Sequence, residues 1–173
     1  MNLNIKTLQT TITILIIVLT TLKVVGQTVP IGKYDTTNYP KDRKIINDIS
    51  NIFDKSLSLN DNSVSIGADG KISYGIEAEL QTFVNDSISF KSVMPVPRTE
   101  LLRIFNGTTA IKTKVADVVF DSPKGEVHFK VIRCETFIKQ KGKWYFVMGQ
   151  GTNVMTQEEF DNYRNEHTTK MGK

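Results

Sequence analysis

Two ionisable side chains have the types and spacing needed for general acid–base chemistry. Asp117 interrupts the apolar run VADVV, and His128 comes close to it if the flanking strands pair through the turn at 121–125. A carboxylate and an imidazole in contact could act as a base and the group that orients it. The competing interpretation is an ordinary contact between exposed side chains on neighbouring strands. Tyr74 is the one other side chain that we consider for such a role.

The cysteine and histidine content predicts neither a disulfide nor a metal site. Cys134 is the only cysteine, so it has no partner within the chain. Its neighbours Arg133 and Glu135 point to the other side of the strand, so nothing beside the thiol lowers its pKa. The two histidines have no second ligand at the spacing of a zinc site. We therefore predict a buried, unreactive Cys134, no metal and no cofactor.

The first residues have the pattern of an export signal. Lys6 precedes an apolar run at 11–22, and Val24 and Gly26 fit the positions before a cleavage site at Gln27. A membrane span needs ~20 apolar residues, more than this run provides, although an uncleaved N-terminal anchor is the alternative. We predict a signal peptide at 1–26 and an exported protein, either periplasmic or secreted.

The charge of the remaining chain argues against nucleic acid as a partner. The formal charge is +4 for the whole chain, and it falls to +2 without residues 1–26, which include Lys6 and Lys23 and no acidic residue. A nearly neutral domain lacks the basic surface that binds a phosphate backbone. We predict no nucleic-acid partner.

Apolar periodicity and turn residues predict the elements that position these groups. After an extended leader at 27–40, apolar residues at three- and four-residue steps predict a helix over 41–57. A short hairpin follows with its turn at Asp69-Gly70, and a second helix covers 76–83. The later β-rich segments are 88–94, 100–105, 109–120 and the two arms of 126–152.

This order of helix, hairpin, helix and antiparallel meander is typical of α+β domains. We place the domain at 41–154 and a C-terminal helix and tail at 155–173. The sequence Thr156-x-x-Glu159 is a capping box that opens this last helix, with Phe160 and Tyr163 on one face.

The hairpin at 126–152 contains the only tryptophan, and its alternation predicts which side is buried. In the first arm the predicted inward residues are Ile132, Cys134, Thr136 and Ile138. In the second arm they are Trp144, Phe146, Met148 and Gln150.

Pairing these two sets requires a three-residue turn at 140–142. A two-residue turn at Lys141-Gly142 would bury Lys139 beside Trp144, at the cost of desolvating a charge. The apolar residues of the first arm also change parity near 131–132, which predicts a β-bulge there.

Residues 103–152 resemble the NTF2-like superfamily, of the SnoaL-like or DUF4440 type. RIFNGTTAIKTKV and ETFIKQKGKWYFVMGQGT are similar to its closing strands, and SIGADGKISYGIEAE is similar to its strand–turn–strand–helix segment. The resemblance implies a cone-shaped, cystatin-like α+β fold, in which a curved antiparallel sheet wraps on short N-terminal helices and an extra C-terminal helix follows. Because one N-terminal helix replaces the usual two, it implies a shallower cone or a cone covered by the C-terminal helix.

The resemblance also implies a site inside the cone for a small apolar or amphipathic ligand, and a non-catalytic binding or accessory role. The residues that would line it are Thr113, Cys134, Trp144, Phe146, Met148 and Gln150, although the same mixture is typical of plain packing at a core edge. Two alternatives stay open. One is a lyase or isomerase of the SnoaL or ketosteroid-isomerase kind, using Asp117 and His128. The other is a protein-interaction module that forms a homodimer through the outer sheet face, where we expect Lys112, Lys114, Arg133, Glu135, Lys139, Lys143 and Tyr145.

Overall fold

A computed structural model describes residues 29–30, 32–49, 53–59 and 61–171. The predicted signal peptide at 1–26 lies outside these ranges, as do the first residues of the predicted leader. The described chain is an α+β structure with one sheet of seven strands. Within it, no helix combines the length and the apolar character needed to cross a bilayer.

Helix α1 is Pro40–Asn47, α2 is Ile76–Asn85 and α3 is Gln157–Met171. Helix α1 begins with a proline, whose missing N–H costs nothing at a first turn. It is shorter than the predicted helix over 41–57, because residues 55–57 form a separate 3₁₀ turn. Helix α2 starts where the backbone N–H of Ile76 donates to Oδ1 of Asp61 at 3.1 Å.

The strands are β1 Val64–Ile66, β2 Ile72–Tyr74, β3 Ser89–Pro95, β4 Leu101–Phe105, β5 Thr109–Ser122, β6 Gly125–Gln140 and β7 Lys143–Asn153. Their order across the sheet is β2-β1-β7-β6-β5-β3, and β4 also pairs with β5. The pairing of β1 with β7 is parallel and the other pairings are antiparallel. The long strands β5, β6 and β7 pair antiparallel in chain order, as the predicted meander requires.

The hairpin between β6 and β7 closes on a two-residue turn, so the predicted three-residue turn is wrong. Lys139 pairs with Trp144, and the turn residues Lys141 and Gly142 have φ of 49° and 79°. Lys139 is partly buried, and its Nζ lies 2.7 Å from Oδ1 of Asp42 in α1. Trp144 Nε1 donates to the same oxygen at 3.0 Å. A partner far away in the sequence thus compensates the desolvation of Lys139.

The bulge of this hairpin lies at Val147, not near 131–132. Thr136 pairs with Met148 and Phe137 pairs with Phe146, so Val147 is the extra residue. Strands β5 and β6 pair without a register shift, so the parity of β6 stays constant along its length.

The predicted inward face of β6 is therefore wrong: its odd-numbered residues face the core. Phe137 and Val131 are buried, whereas Ile132 is 44% exposed. In β7, Trp144 and Phe146 face inward as predicted, but the bulge turns Met148 outward, where it is 38% exposed.

The sheet and α1 enclose the main hydrophobic core. Its buried members are Ile46, Leu102, Ile104, Ala110, Phe137, Trp144 and Phe146. A second, smaller apolar cluster on the same face of the sheet contains Ala116, Val118 and Val131. A cavity borders this second cluster.

Helix α3 starts with the predicted capping box. Glu159 N donates to Thr156 Oγ1 at 3.2 Å, and Thr156 N donates to Glu159 Oε2 at 2.6 Å. Phe160 and Tyr163 are about half exposed. The C-terminal helix therefore does not bury its aromatic side chains against the cone.

Candidate ligand-binding site

A cavity of about 690 Å³ lies between the inner face of the sheet and helix α2. Its residues come from α2, from every strand except β4, and from the chain segments next to these elements. This volume falls within the range of small-molecule sites in proteins. Residues of α3 are not part of its lining, so the C-terminal helix does not cover this space.

One side of the cavity is an aromatic wall formed by Phe53, Phe83, Phe90, Phe120 and Phe129. Successive rings of this wall meet at centroid distances of 5.7, 5.1, 6.1 and 5.5 Å, mostly edge to face. Such contacts stabilise each ring in a fixed orientation. The wall therefore offers a preformed apolar surface.

The other side carries four charged residues that we call the charged floor: Glu79 of α2, Lys114 of β5, and Arg133 and Glu135 of β6. Glu79 and Glu135 are only 6% and 4% exposed. The strand alternation places Lys114 and Arg133 as cross-strand partners on the inner face. The floor thus lies between the apolar core and the aromatic wall.

The charges of the floor face each other without forming hydrogen bonds. Three separations are each 3.8 Å: Glu79 Oε1 to Arg133 Nη2, Glu135 Oε1 to Arg133 Nε, and Glu135 Oε1 to Lys114 Nζ. Hydrogen bonds of this kind are shorter than ~3.2 Å. Among the described residues, Glu79 Oε2 and Arg133 Nη2 are buried and have no hydrogen-bond partner.

Gly149 on β7 makes room for the floor. A Cβ at this position would collide with Nη2 of Arg133 and would lie 2.8 Å from Cζ of Phe146. The guanidinium group therefore lies across the backbone of β7, where only a glycine permits that approach.

The structure places the six predicted ligand-binding residues away from this cavity. Thr113, Cys134, Met148 and Gln150 lie on the outer face of the sheet, and Trp144 and Phe146 are part of the main core. Burial raises the pKa of the Cys134 thiol, and the charge of Glu135 raises it further. The thiol is only partly buried and lies on the outer face, so the predicted inward, buried position is wrong, but its raised pKa makes it less reactive than a free cysteine, as the sequence indicated.

Asp117 and His128 are also outside the cavity. Their side chains are 57% and 67% exposed. Asp117 lies 3.4 Å from Nζ of Lys130, and His128 Nε2 lies 2.6 Å from Oε1 of Glu126. Tyr74 is exposed as well. The structure therefore does not bring the predicted acid–base residues to a substrate-sized space.

The sequence analysis missed the charged floor because it assigned Lys114, Arg133 and Glu135 to the outer face. Lys112 was assigned there too, but it is buried, with Nζ 3.7 Å from Oε1 of Glu100. One signal could have found the floor. Val127, Phe129 and Val131 are apolar residues at odd-numbered positions, and Phe137 is another. The same alternation places Arg133 and Glu135 on that inward face.

Metal ligands do not define the site. Across the part of the chain that the structure describes, no group of three or more His, Cys, Asp or Glu residues is placed to hold a metal ion. The site is a concave, mainly apolar space with a small number of polar groups at one side, which is the usual form of a small-molecule site.

Comparison with solved structures identifies the class of fold. A putative calcium/calmodulin-dependent kinase II association domain from Exiguobacterium sibiricum is 13% identical, with a TM-score of 0.54, over 73% of this chain and 100% of that one. An NTF2-like protein of unknown function from Prochlorococcus marinus is 11% identical, with a TM-score of 0.51, over 69% and 97% of the two chains. An NTF2-like protein from Rhodospirillum rubrum, of unknown function in nutrient uptake, is 10% identical, with a TM-score of 0.50, over 58% and 82%.

The protein therefore has the NTF2-like fold, and the α+β cone predicted from the sequence is confirmed. No family model matches the chain, and no curated protein matches it.

Proposed function

We propose that this protein binds a small amphipathic molecule in the cavity and acts as a binding or accessory domain. One observation carries the proposal: Glu79 Oε2 and Arg133 Nη2 are buried without hydrogen-bond partners beside a cavity of about 690 Å³. Leaving a buried charged atom without a partner costs at least ~1–3 kcal/mol. Neither atom has accessible surface in this structure, so a rotation of the Glu79 or Arg133 side chain towards the cavity has to accompany binding. A ligand whose polar group then meets these atoms and whose apolar part meets the aromatic wall recovers that cost.

The aromatic wall supports the apolar half of this proposal. Its five rings are held by one another, so a ligand meets a surface whose conformational entropy is already reduced. Binding energy then comes from burying the apolar part of the ligand, at ~25 cal/mol per Å² removed from water.

A fluorescence titration with N-phenyl-1-naphthylamine, an uncharged apolar fluorophore, tests the proposal. The wild-type protein should enhance its emission. Val118→Trp, which fills the cavity, should abolish the enhancement. Thr113→Trp is the matched control, because it adds the same side chain to the outer face of the same strand, and it should leave the enhancement unchanged.

Far-UV circular dichroism establishes that both variants are folded. An equal response of the two variants, or no enhancement by the wild type, contradicts the proposal. In addition, native mass spectrometry of the protein purified from its own host should detect a bound small molecule.

A second candidate function is self-association, favoured by an uncharged area on the convex side of the sheet that we call the outer patch. Its members are Ile111, Thr113, Ile132, Cys134, Thr136, Ile138, Tyr145, Met148 and Gln150. The neighbouring part of the same face is charged, with Asp117, Glu126, His128 and Lys130. Apolar surface bounded by charge is typical of an interaction site.

We propose that the outer patch pairs with the same patch of a second copy. Sedimentation of the wild type should show a dimer, and Thr136→Arg should convert it to a monomer because each copy would bring a desolvated charge into the interface. His128→Arg, at the charged end of the face, is the control and should leave the dimer intact. A monomeric wild type, or equal effects of the two variants, contradicts this proposal.

We also propose that the chain is exported and loses residues 1–26. Lys6 and the apolar run at 11–22 support it. N-terminal sequencing of the protein from its host should begin at Gln27, and retention of Lys6 would contradict cleavage.

A further inference from the structure

We infer that the charged floor selects an uncharged head group that both donates and accepts hydrogen bonds, such as a carboxamide, over a carboxylate or an ammonium group. This inference rests on the proposed function of the cavity and names the chemistry of its ligand. It follows from the charges of the floor, from its two free atoms and from the charges at the cavity entrance.

The floor is formally neutral. Two carboxylates, Glu79 and Glu135, alternate in space with two cations, Arg133 and Lys114, so that each cation lies 3.8 Å from a carboxylate oxygen. A charged head group would therefore meet one attractive and one repulsive neighbour at almost the same distance. Neither sign of charge is favoured by the floor as a whole.

The exposed charged residues at the rim of the cavity, which we take as its entrance, add no net positive charge. Asp69, Lys71 and Asp86 line it, and Lys71 Nζ lies 3.5 Å from Asp69 and 2.5 Å from Asp86. These three residues carry a formal charge of −1 together. An anionic ligand consequently gains no electrostatic attraction along its path to the floor.

The two free atoms of the floor are one acceptor and one donor. When the carboxylate is ionised, Glu79 Oε2 accepts hydrogen bonds and cannot donate. Arg133 Nη2 donates hydrogen bonds and cannot accept. They belong to neighbouring side chains, because the other oxygen of Glu79 is 3.8 Å from the same Arg133 nitrogen.

Once the Glu79 and Arg133 side chains turn these atoms towards the cavity, a carboxamide fits the pair because its NH₂ donates and its carbonyl oxygen accepts from a single carbon atom. A carboxylate can accept from Arg133 but brings its charge against Glu79. An ammonium group can donate to Glu79 but brings its charge against Arg133. The apolar remainder of the ligand then extends towards Phe120 and Phe129 of the aromatic wall.

Three probes with one apolar body test the inference: 4-phenylbutanamide, 4-phenylbutanoate and 4-phenylbutylamine, each titrated into the wild-type protein by calorimetry. The amide should bind at least about tenfold more tightly than either charged probe, a difference of about 1.4 kcal/mol. This comparison needs no variant, so it stands whether or not the substitutions below fold.

Charge-removing substitutions should then reverse the order in opposite directions. Glu79→Gln leaves the floor with a net positive charge and should strengthen the carboxylate relative to the amide. Arg133→Gln leaves it negative and should strengthen the amine relative to the amide. Glu126→Gln, on the outer face, is the matched control and should change none of the three affinities.

Equal affinities for the three probes, or tightest binding of the carboxylate or the amine, would overturn the head-group inference while leaving the binding function intact. Binding of N-phenyl-1-naphthylamine without binding of any of the three probes would likewise overturn the head-group inference and leave the binding function intact. Failure of all four molecules to bind would overturn the proposed function itself.

Discussion

Two buried charged sites on the inner face of the same sheet are built in opposite ways. Below helix α1, Lys139 Nζ and Trp144 Nε1 reach one oxygen of Asp42 at 2.7 and 3.0 Å. At the charged floor, the closest opposite charges of Glu79, Arg133 and Glu135 stay 3.8 Å apart. The first site is closed by its own hydrogen bonds, whereas the second borders the cavity.

This difference separates a structural role from a binding role. A buried ion pair stabilises a fold only when its hydrogen bonds are completed, and otherwise its desolvation cost exceeds its Coulomb energy. Proteins keep such unfavourable groups mainly where function requires them. The Asp42 site therefore holds α1 on the hairpin, and the charged floor is the site at which we propose ligand binding, at some expense of stability.

The largest effect on stability should come from the main core beside the Asp42 site. Trp144→Ala removes a fully buried side chain of the main core and should lower the free energy of unfolding by ~3–5 kcal/mol in urea titrations. Phe129→Ala, in the partly exposed aromatic wall, is the comparison and should cost clearly less. Similar losses for both would show that the wall packs like the core.

Asp42→Ala should lower the free energy of unfolding by ~2 kcal/mol, because it leaves Lys139 Nζ and Trp144 Nε1 without their shared acceptor. Asp48→Ala, at an exposed position of the same segment, is the control and should change stability by less than ~0.5 kcal/mol. Equal values for the two variants would contradict a structural role for Asp42.

The effect of Asp42→Ala should depend on pH. The hydrogen bond from Lys139 holds the pKa of Asp42 below its ordinary value of 3.8, despite the opposing effect of burial. A carboxylate with a lowered pKa contributes stability above its unfolded-state pKa and loses it as the pH falls through its folded-state pKa. The difference between the wild type and Asp42→Ala should therefore be constant near neutral pH and should shrink below about pH 4. A difference that grows on acidification would contradict this assignment.

Removing charges from the charged floor should change the free energy of unfolding in the opposite direction. The double variant Glu79→Leu, Arg133→Met replaces buried charges without hydrogen bonds by apolar groups, and it should raise the free energy of unfolding by ~1 kcal/mol. The same variant should lose 4-phenylbutanamide binding. A destabilisation as large as that of Asp42→Ala would mean that the floor is a structural ion pair.

The smallest effect should come from helix α3. Removal of residues 157–173 should change the free energy of unfolding by less than ~0.5 kcal/mol, because Phe160 and Tyr163 are half exposed and α3 does not line the cavity. Loss of amide binding in this truncated chain would instead indicate that α3 closes over the cavity.

Local sequence signals predicted the elements well. The Asp69-Gly70 turn, the strands on either side of it and the capping box at Thr156 all have short-range causes. Their order predicted an α+β domain, and the resemblance of residues 103–152 to the NTF2-like superfamily implied the NTF2-like fold, which the solved structures confirm.

The faces of the closing hairpin could not be predicted in the same way. The cost of burying Lys139 was judged without Asp42, which meets it from 97 positions away in the sequence. The bulge at Val147 then shifted Met148 and Gln150 to the other side. The even-numbered residues of β6 were assigned to the core, which placed Arg133 and Glu135 outside, and the three-residue turn followed from that assignment. Because side chains alternate along a strand, this one assignment also concealed the charged floor.

Methyl NMR during a titration with 4-phenylbutanamide tests the central claim most directly. The claim predicts that the methyl groups of Ala116, Val118 and Val131 shift together with the Nε–H signal of Arg133 and saturate at one concentration. The methyl groups of Ile111, Ile138 and Met148 on the outer patch should not move. Shifts confined to the outer patch, or no shifts at all, would contradict ligand binding at the charged floor.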